Sequence, residues 1–239
     1  NETVVFDAVA EFEGFLYRDA VRYTYERFVN RTTGMAKLNP GFDLHRPFHP
    51  VVARLPSVRF YDYVVKARVF AFFLVEGCIP WTRDHALMEQ IATQNPWGDP
   101  PYVVMGYDDT FIANVFEAET NCLRQHNLAQ APTTQAGNLA FFSGAPPIVT
   151  PLVQPSQPAI PPYNASKTYL CLVLGDGDNL GMVLGRNLLW MQDRLDRCGS
   201  RECAPRTWTL SPQLLRLAPD IMRWFYAAAH ATRRDYFVL

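Results

Sequence analysis

The sequence is poor in several features that would settle a function at once, and each lack removes a class. It has no excess of positive charge: 22 Lys and Arg stand against 23 Asp and Glu, a formal net charge of -1. A protein that neutralises phosphates needs a basic stripe, so a nucleic-acid partner is excluded. No apolar run approaches the roughly 20 residues of a membrane helix. The best candidate, residues 69–75, is flanked by Lys66, Arg68 and Glu76, so no membrane span is expected and the chain reads as soluble. The five histidines, His45, His49, His85, His126 and His230, show no HxH or HExxH spacing. The cysteines have no CxxC pair, so no metal site is expected from either residue type. Ser143 lies in Phe141-Phe142-Ser143-Gly144, which is no nucleophile elbow.

What is present points to a secretory glycoprotein. Three sequons occur, Asn1-Glu2-Thr3, Asn30-Arg31-Thr32 and Asn164-Ala165-Ser166. Together they favour glycosylation at Asn1, Asn30 and Asn164, and an extracellular or secretory-lumen location. The chain begins at Asn1 with no leader-like segment, so either a leader was removed or the chain is an internal piece. The five cysteines fit an oxidising compartment. Cys198 and Cys203 bracket a short polar turn and read as a disulfide, with Cys78 and Cys122 a second candidate pair. Cys171 lies within an apolar run and is expected to be a buried free thiol.

The patterning is α/β. Residues 4–30 and 61–76 carry apolar residues at helical spacing, and residues 82–93 form a shorter helix for which Thr82 is the N-cap. The break Asn95-Pro96-Trp97-Gly98-Asp99-Pro100-Pro101 sets a domain boundary, dividing a smaller, mostly helical or α/β part at 1–96 from 97–239. Beyond it, short apolar runs alternate with helices. Strands are expected at 102–107, 136–143, 169–174, 208–210 and 235–239. Helices are expected at 180–195, after Ser211-Pro212, and from Pro219. The run at 169–174 reads as a strand covered on both faces. Residues 145–163 contain seven prolines and can form neither helix nor central strand. Such βα alternation implies parallel strands in a partial, barrel-like (β/α) domain. The last strand has just begun at Leu239, so a second chain or segment is expected to complete the sheet.

The chemistry concentrates at Asp176-Gly177-Asp178-Asn179, after the apolar run. Gly175, Gly177 and Gly181 loosely resemble a dinucleotide loop, but two carboxylates in the turn would repel a pyrophosphate. Two carboxylates and an amide at a strand end suit glycoside hydrolysis, where one carboxyl is kept protonated and another ionised. The same oxygens suit calcium, the one cofactor the loop suggests. A plain structural role, with Asp178 or Asn179 capping the helix, is the competing reading. Asp108 and Asp109 follow another strand and offer a second carboxylate. Asn179, Tyr107 and Trp208 are candidate sugar contacts, the aromatics by stacking, and Trp190 also offers a ring.

Several segments carry a resemblance. Asp176-Gly177-Asp178-Asn179, Trp190, Thr207-Trp208-Thr209-Leu210-Ser211-Pro212, Leu217-Ala218-Pro219 and Asp235-Tyr236-Phe237-Val238 resemble the GxGYxYP-type putative glycoside hydrolase family. Tyr61-Asp62-Tyr63-Val64, residues 70–74 and Gly106-Tyr107 are similar to that family's junction between N- and C-terminal domains. The resemblance implies a glycosidase-like barrel and a carbohydrate substrate. The alternative is an extracellular binding or assembly module that keeps the fold without catalysis.

Overall fold

The computed structural model describes residues 16–38, 60–74, 76–98, 102–107, 115–133, 136–157, 159, 161–177, 180–198 and 203–238. It divides into two compact units, Asn1–Ala131 and Pro132–Leu239.

The first unit is built on a parallel sheet of four strands, β1 (Met35–Leu38), β2 (Phe70–Phe72), β3 (Tyr102–Tyr107) and β4 (Leu128–Ala131), in the order β2-β1-β3-β4. Its helices are α1 (Tyr17–Phe28), α2 (Tyr61–Ala67), α3 (Arg83–Thr93) and α4 (Val115–Gln125). The unit is therefore α/β, one of the two readings the sequence allowed. The sheet uses β3, which follows the proline-rich break, and pairs it with β1, which precedes it. The units meet at Ala131 and Pro132, whereas the sequence suggested a boundary at 96. A run of prolines interrupts secondary structure, but only strand pairing decides which unit a segment joins. Tyr25, Met35, Phe70, Phe72, Leu87, Met88, Ile91, Val104 and Leu123 form the core.

The expected helix over 61–76 stops at Ala67. Arg68 takes a left-handed conformation (φ 52°) and its N–H bonds back to Val64 and Val65. The β-branched and aromatic residues that follow enter the sheet as β2. Thr82 does cap α3, accepting the His85 N–H at 3.1 Å. Cys78 and Cys122 are bonded, tying the loop before α3 to α4. Gly106 has φ +92°, and a Cβ there would meet the Lys37 carbonyl oxygen at 2.3 Å, so only glycine lets β3 lie this close to β1.

The second unit carries a parallel sheet of three described strands, β5 (Val173–Leu174), β6 (Arg206–Thr209) and β7 (Asp235–Val238), in that order. Helix α5 (Leu139–Phe142) stands where a strand was expected over 136–143, because a short apolar run has no period that separates the two. Then come α6 (Leu180–Met182), a π turn (Val183–Asn187) and α7 (Leu188–Cys198), together spanning the expected 180–195 helix. After a turn through Ser211 and Pro212, α8 (Leu214–Leu217) leads into α9 (Pro219–Thr232), with Pro219 at its start.

The proline-rich segment lies along α9 and β7. Arg223 donates to the Pro146 and Pro147 carbonyls at 2.6 and 2.8 Å, and His230 Nε2 donates to Val153 at 2.8 Å. The Gln154 amide accepts the Phe237 N–H at 2.7 Å and donates to its carbonyl at 2.8 Å. A side chain thus supplies the pairing that a further strand would have offered Phe237.

Cys198 and Cys203 are bonded, as expected. Cys171 is free but exposed, not buried. The apolar run 169–174 is not covered on both faces: only Val173–Leu174 is strand, and Leu170 is 82% and Val173 56% exposed. Among the described residues β5 is an edge strand, so one edge of the run has no strand neighbour.

Candidate functional site

The site begins where β5 ends. Strand pairing sets Leu174 beside Trp208, so the residues just past both strands come together. There Thr209, the last residue of β6, grips Asp176 twice. Its Oγ1 accepts the Asp176 N–H at 2.8 Å and donates to Asp176 Oδ1 at 2.8 Å. The other oxygen, Oδ2, has no hydrogen bond among the described residues, and Asp176 is half-buried. Among the described residues the carboxylate is thus held through one oxygen only.

Two further residues shape the turn. Gly177 has φ +73°, and a Cβ there would meet Met182 Sδ at 3.1 Å, so the tight return toward α6 favours glycine. Asn187 closes the π turn and is fully buried. Its Nδ2 donates to the Gly175 carbonyl at 3.3 Å, while its Oδ1 has no partner among the described residues. A π turn inserts one residue into the helix and shifts what faces the strand, and such turns recur at functional sites. Gly181 and Gly185, poor helix formers, lie beside and within it.

The other expected residues are placed differently. Asp178 and Asn179, and Asp108 and Asp109, lie outside the described residues. Tyr107 ends β3 in the first unit. Trp208 corrects the sequence reading. It is fully buried, packs near Phe225, and donates its indole N–H to Asp235 Oδ1 at 2.8 Å, so it offers no face to a sugar. Its position in β6, the central strand of the three, directs it into the core. Trp190 is 40% exposed, with the Arg186 guanidinium 5.7 Å from its ring centre. It borders an open groove of about 400 Å³ with Cys171, Leu172, Asp193 and Arg206, which does not include Asp176. Among the described residues no three His, Cys, Asp or Glu side chains cluster as metal ligands, and no helix is long and apolar enough to cross a membrane.

Thr209 and Asn187 are the residues that sequence reasoning missed. Thr209 stood inside a segment already singled out. Its position at the C-terminal end of a strand, level with the acidic loop, was the available signal. Asn187 gave none, since an asparagine seven residues into a helix normally faces solvent.

Residues 166–239 match the model of the GxGYxYP putative glycoside hydrolase C-terminal domain. This span holds the acidic loop, β5, β6, β7 and the helices between them. The chain is also similar to a solved structure described as a putative hydrolase from Bacteroides thetaiotaomicron VPI-5482, with a TM-score of 0.61 and 22% identity. The alignment covers 91% of this chain and 36% of that one, so the present chain spans about a third of that protein's length. At this identity the likeness speaks to the fold. No curated protein matches the chain.

Proposed function

We propose that this chain forms part of a secreted, carbohydrate-active glycoprotein of the glycoside hydrolase type, with its site at the Asp176–Asn179 loop. The observation that carries the reading is the Thr209 clamp on Asp176. A carboxylate at the C-terminal edge of a parallel sheet, fixed by one oxygen and open at the other, suits proton transfer or attack at an anomeric carbon. Loops converge at that edge in α/β domains and leave room for a ligand there. The match over residues 166–239 supports the same chemistry.

In this reading Asp176 is one of the two carboxyl groups, and Asp178 of the same loop supplies the other. The hydroxyl of Thr209 orients the Asp176 carboxyl by donating to its Oδ1. Asp176 then serves as base or nucleophile, and the second carboxyl donates a proton to the leaving oxygen. Asn179 is the proposed sugar contact. The secretory assignment draws support from two disulfides, which persist in oxidising compartments.

The test is Asp176→Asn, assayed on a panel of aryl glycosides and soluble glycans. Turnover is expected to fall by about 10²–10⁴-fold with the melting temperature nearly unchanged, because a half-exposed carboxylate contributes little packing. Unfolding of the variant would mark the loop as structural. Thr209→Val keeps the side-chain shape and removes the clamp. One hydrogen bond to a charged group is worth about 1.5–3 kcal/mol, so kcat is expected to fall by about 10–100-fold with KM little changed.

A further inference from the structure

We infer that Asn164 is the principal glycan-bearing residue of this protein, modified in preference to Asn30. Sequence alone ranks the two alike, since each is followed two residues later by a hydroxyl. The structure separates them by what that hydroxyl does. At Asn164, the Ser166 N–H and the Ser166 hydroxyl both donate to the side-chain oxygen Oδ1, at 2.9 and 2.7 Å. That fixes the amide with its oxygen turned inward. Its nitrogen Nδ2, the atom that must be glycosylated, has no partner among the described residues.

The turn is closed from within. The Asn164 N–H donates to the Tyr169 hydroxyl at 2.8 Å, and the Tyr163 and Tyr169 rings stack with centres 5.6 Å apart. Residues 161–170 are all exposed, leaving space for a bulky oligosaccharide along the whole turn. None of these contacts depends on a distant part of the molecule.

Asn30 is exposed as well, but it sits in the 3₁₀ turn Val29–Arg31. The Thr32 hydroxyl is committed elsewhere: it donates to the Val29 carbonyl at 2.6 Å and accepts the Trp97 indole N–H at 3.0 Å. It does not orient the Asn30 amide. Asn1 lies outside the described residues.

The donor is a lipid-pyrophosphate-linked oligosaccharide, used by the host's transferase. A C–N bond forms between Asn164 Nδ2 and the anomeric carbon of the first sugar. The bond from that carbon to the pyrophosphate oxygen breaks, the lipid pyrophosphate leaves with the electron pair, and Nδ2 loses one proton. Among the described residues Nδ2 has no hydrogen bond to break for this step.

The inference rests on the secretory part of the proposed function and not on catalysis at Asp176. The protein is to be produced through the secretory route of a eukaryotic cell and its peptides analysed by mass spectrometry, with and without enzymatic release of glycans in ¹⁸O-water. The Asn164 peptide should carry N-acetylglucosamine-based glycan at higher occupancy than the Asn30 peptide. The gel-mobility shift should shrink more in Asn164→Gln and Ser166→Ala than in Asn30→Gln, and persist in Ser166→Thr. An unmodified Asn164 peptide from wild-type protein with both disulfides formed would overturn the inference while leaving the catalytic reading intact, as would higher occupancy at Asn30. Should a variant fail to be secreted, the wild-type peptide ratio still decides the matter.

Discussion

Each unit buries one aspartate against an arginine, yet the two arrangements differ in completeness. In the first unit, Asp84 is fully buried in the first turn of α3. It accepts from the Tyr17 hydroxyl, from Arg18 Nε and from the Glu76 N–H at 3.1 Å, so both its oxygens are used. In the second, Asp235 opens β7, equally buried. Arg194 Nε at 2.7 Å and Trp208 Nε1 at 2.8 Å both donate to Oδ1, and Oδ2 has no partner among the described residues. The helix start explains part of the contrast, because free N–H groups and the positive end of the dipole favour an anion at Asp84. Asp235 has neither, and is held by its pair alone. Asp176 completes the series: it is half-buried and gripped by a neutral hydroxyl. The lesson is that burial with a charged partner marks an aspartate as scaffold, and partial exposure with one free oxygen marks it as a candidate for chemistry.

The largest expected effect sharpens this contrast. Asp235→Ala would leave the Arg194 guanidinium, whose side chain is 5% exposed, buried without its counter-ion. Such a loss costs about 3–5 kcal/mol, which thermal denaturation would register as a fall in melting temperature. Asp84→Ala should cost less, because the Arg18 side chain is 16% exposed and can turn toward water. An equal or larger loss at Asp84 would show that saturation of the carboxylate, not confinement of the arginine, governs the cost.

The disulfides divide the units in the same sense. Cys78 and Cys122 lie 44 residues apart, Cys198 and Cys203 only 5. Loop-closure entropy then gives about 4 kcal/mol for the first bond and about 2 kcal/mol for the second. Denaturant titration of the Cys→Ser pairs should rank them in that order. A reversal would mean that the polar turn at Cys198 is a folding constraint beyond its loop length.

The smallest effect is electrostatic and confined to the first unit. Burial, and then the hydrogen bond to Asp84, push the Tyr17 hydroxyl up from 10.0 to about 12. The folded state therefore keeps its proton where the unfolded chain has lost it. This contribution is complete below pH 10.0 and is lost as pH rises toward about 12. Comparing wild type with Tyr17→Phe across that window should show wild type losing stability more steeply. Parallel curves would remove Tyr17 from the Asp84 network.

Much of this was legible in the sequence because it is local. The disulfide between Cys198 and Cys203, the Thr82 cap and the proline opening α9 each depend on a few adjacent residues. The Asp176 loop was legible for the same reason: glycines around carboxylates after an apolar run define a turn wherever the strand lies. Its partners were not. Thr209 lies 33 residues away, and only pairing of β5 with β6 brings it to Asp176. Asn187 faces Gly175 only because the helix takes a π turn.

The sequence by itself determined the α/β grammar, the neutral charge balance, the acidic loop and the short disulfide, since composition and near-neighbour spacing suffice for each. Only the tertiary structure decided that Trp208 belongs to the core, that Cys171 and its neighbours are exposed, that Cys78 finds Cys122, and that residues 102–131 join the first unit. An apolar run states that burial is favourable without naming the surface that will cover it. That choice belongs to strand order and packing, which bring together residues too far apart in the chain for any pattern to connect.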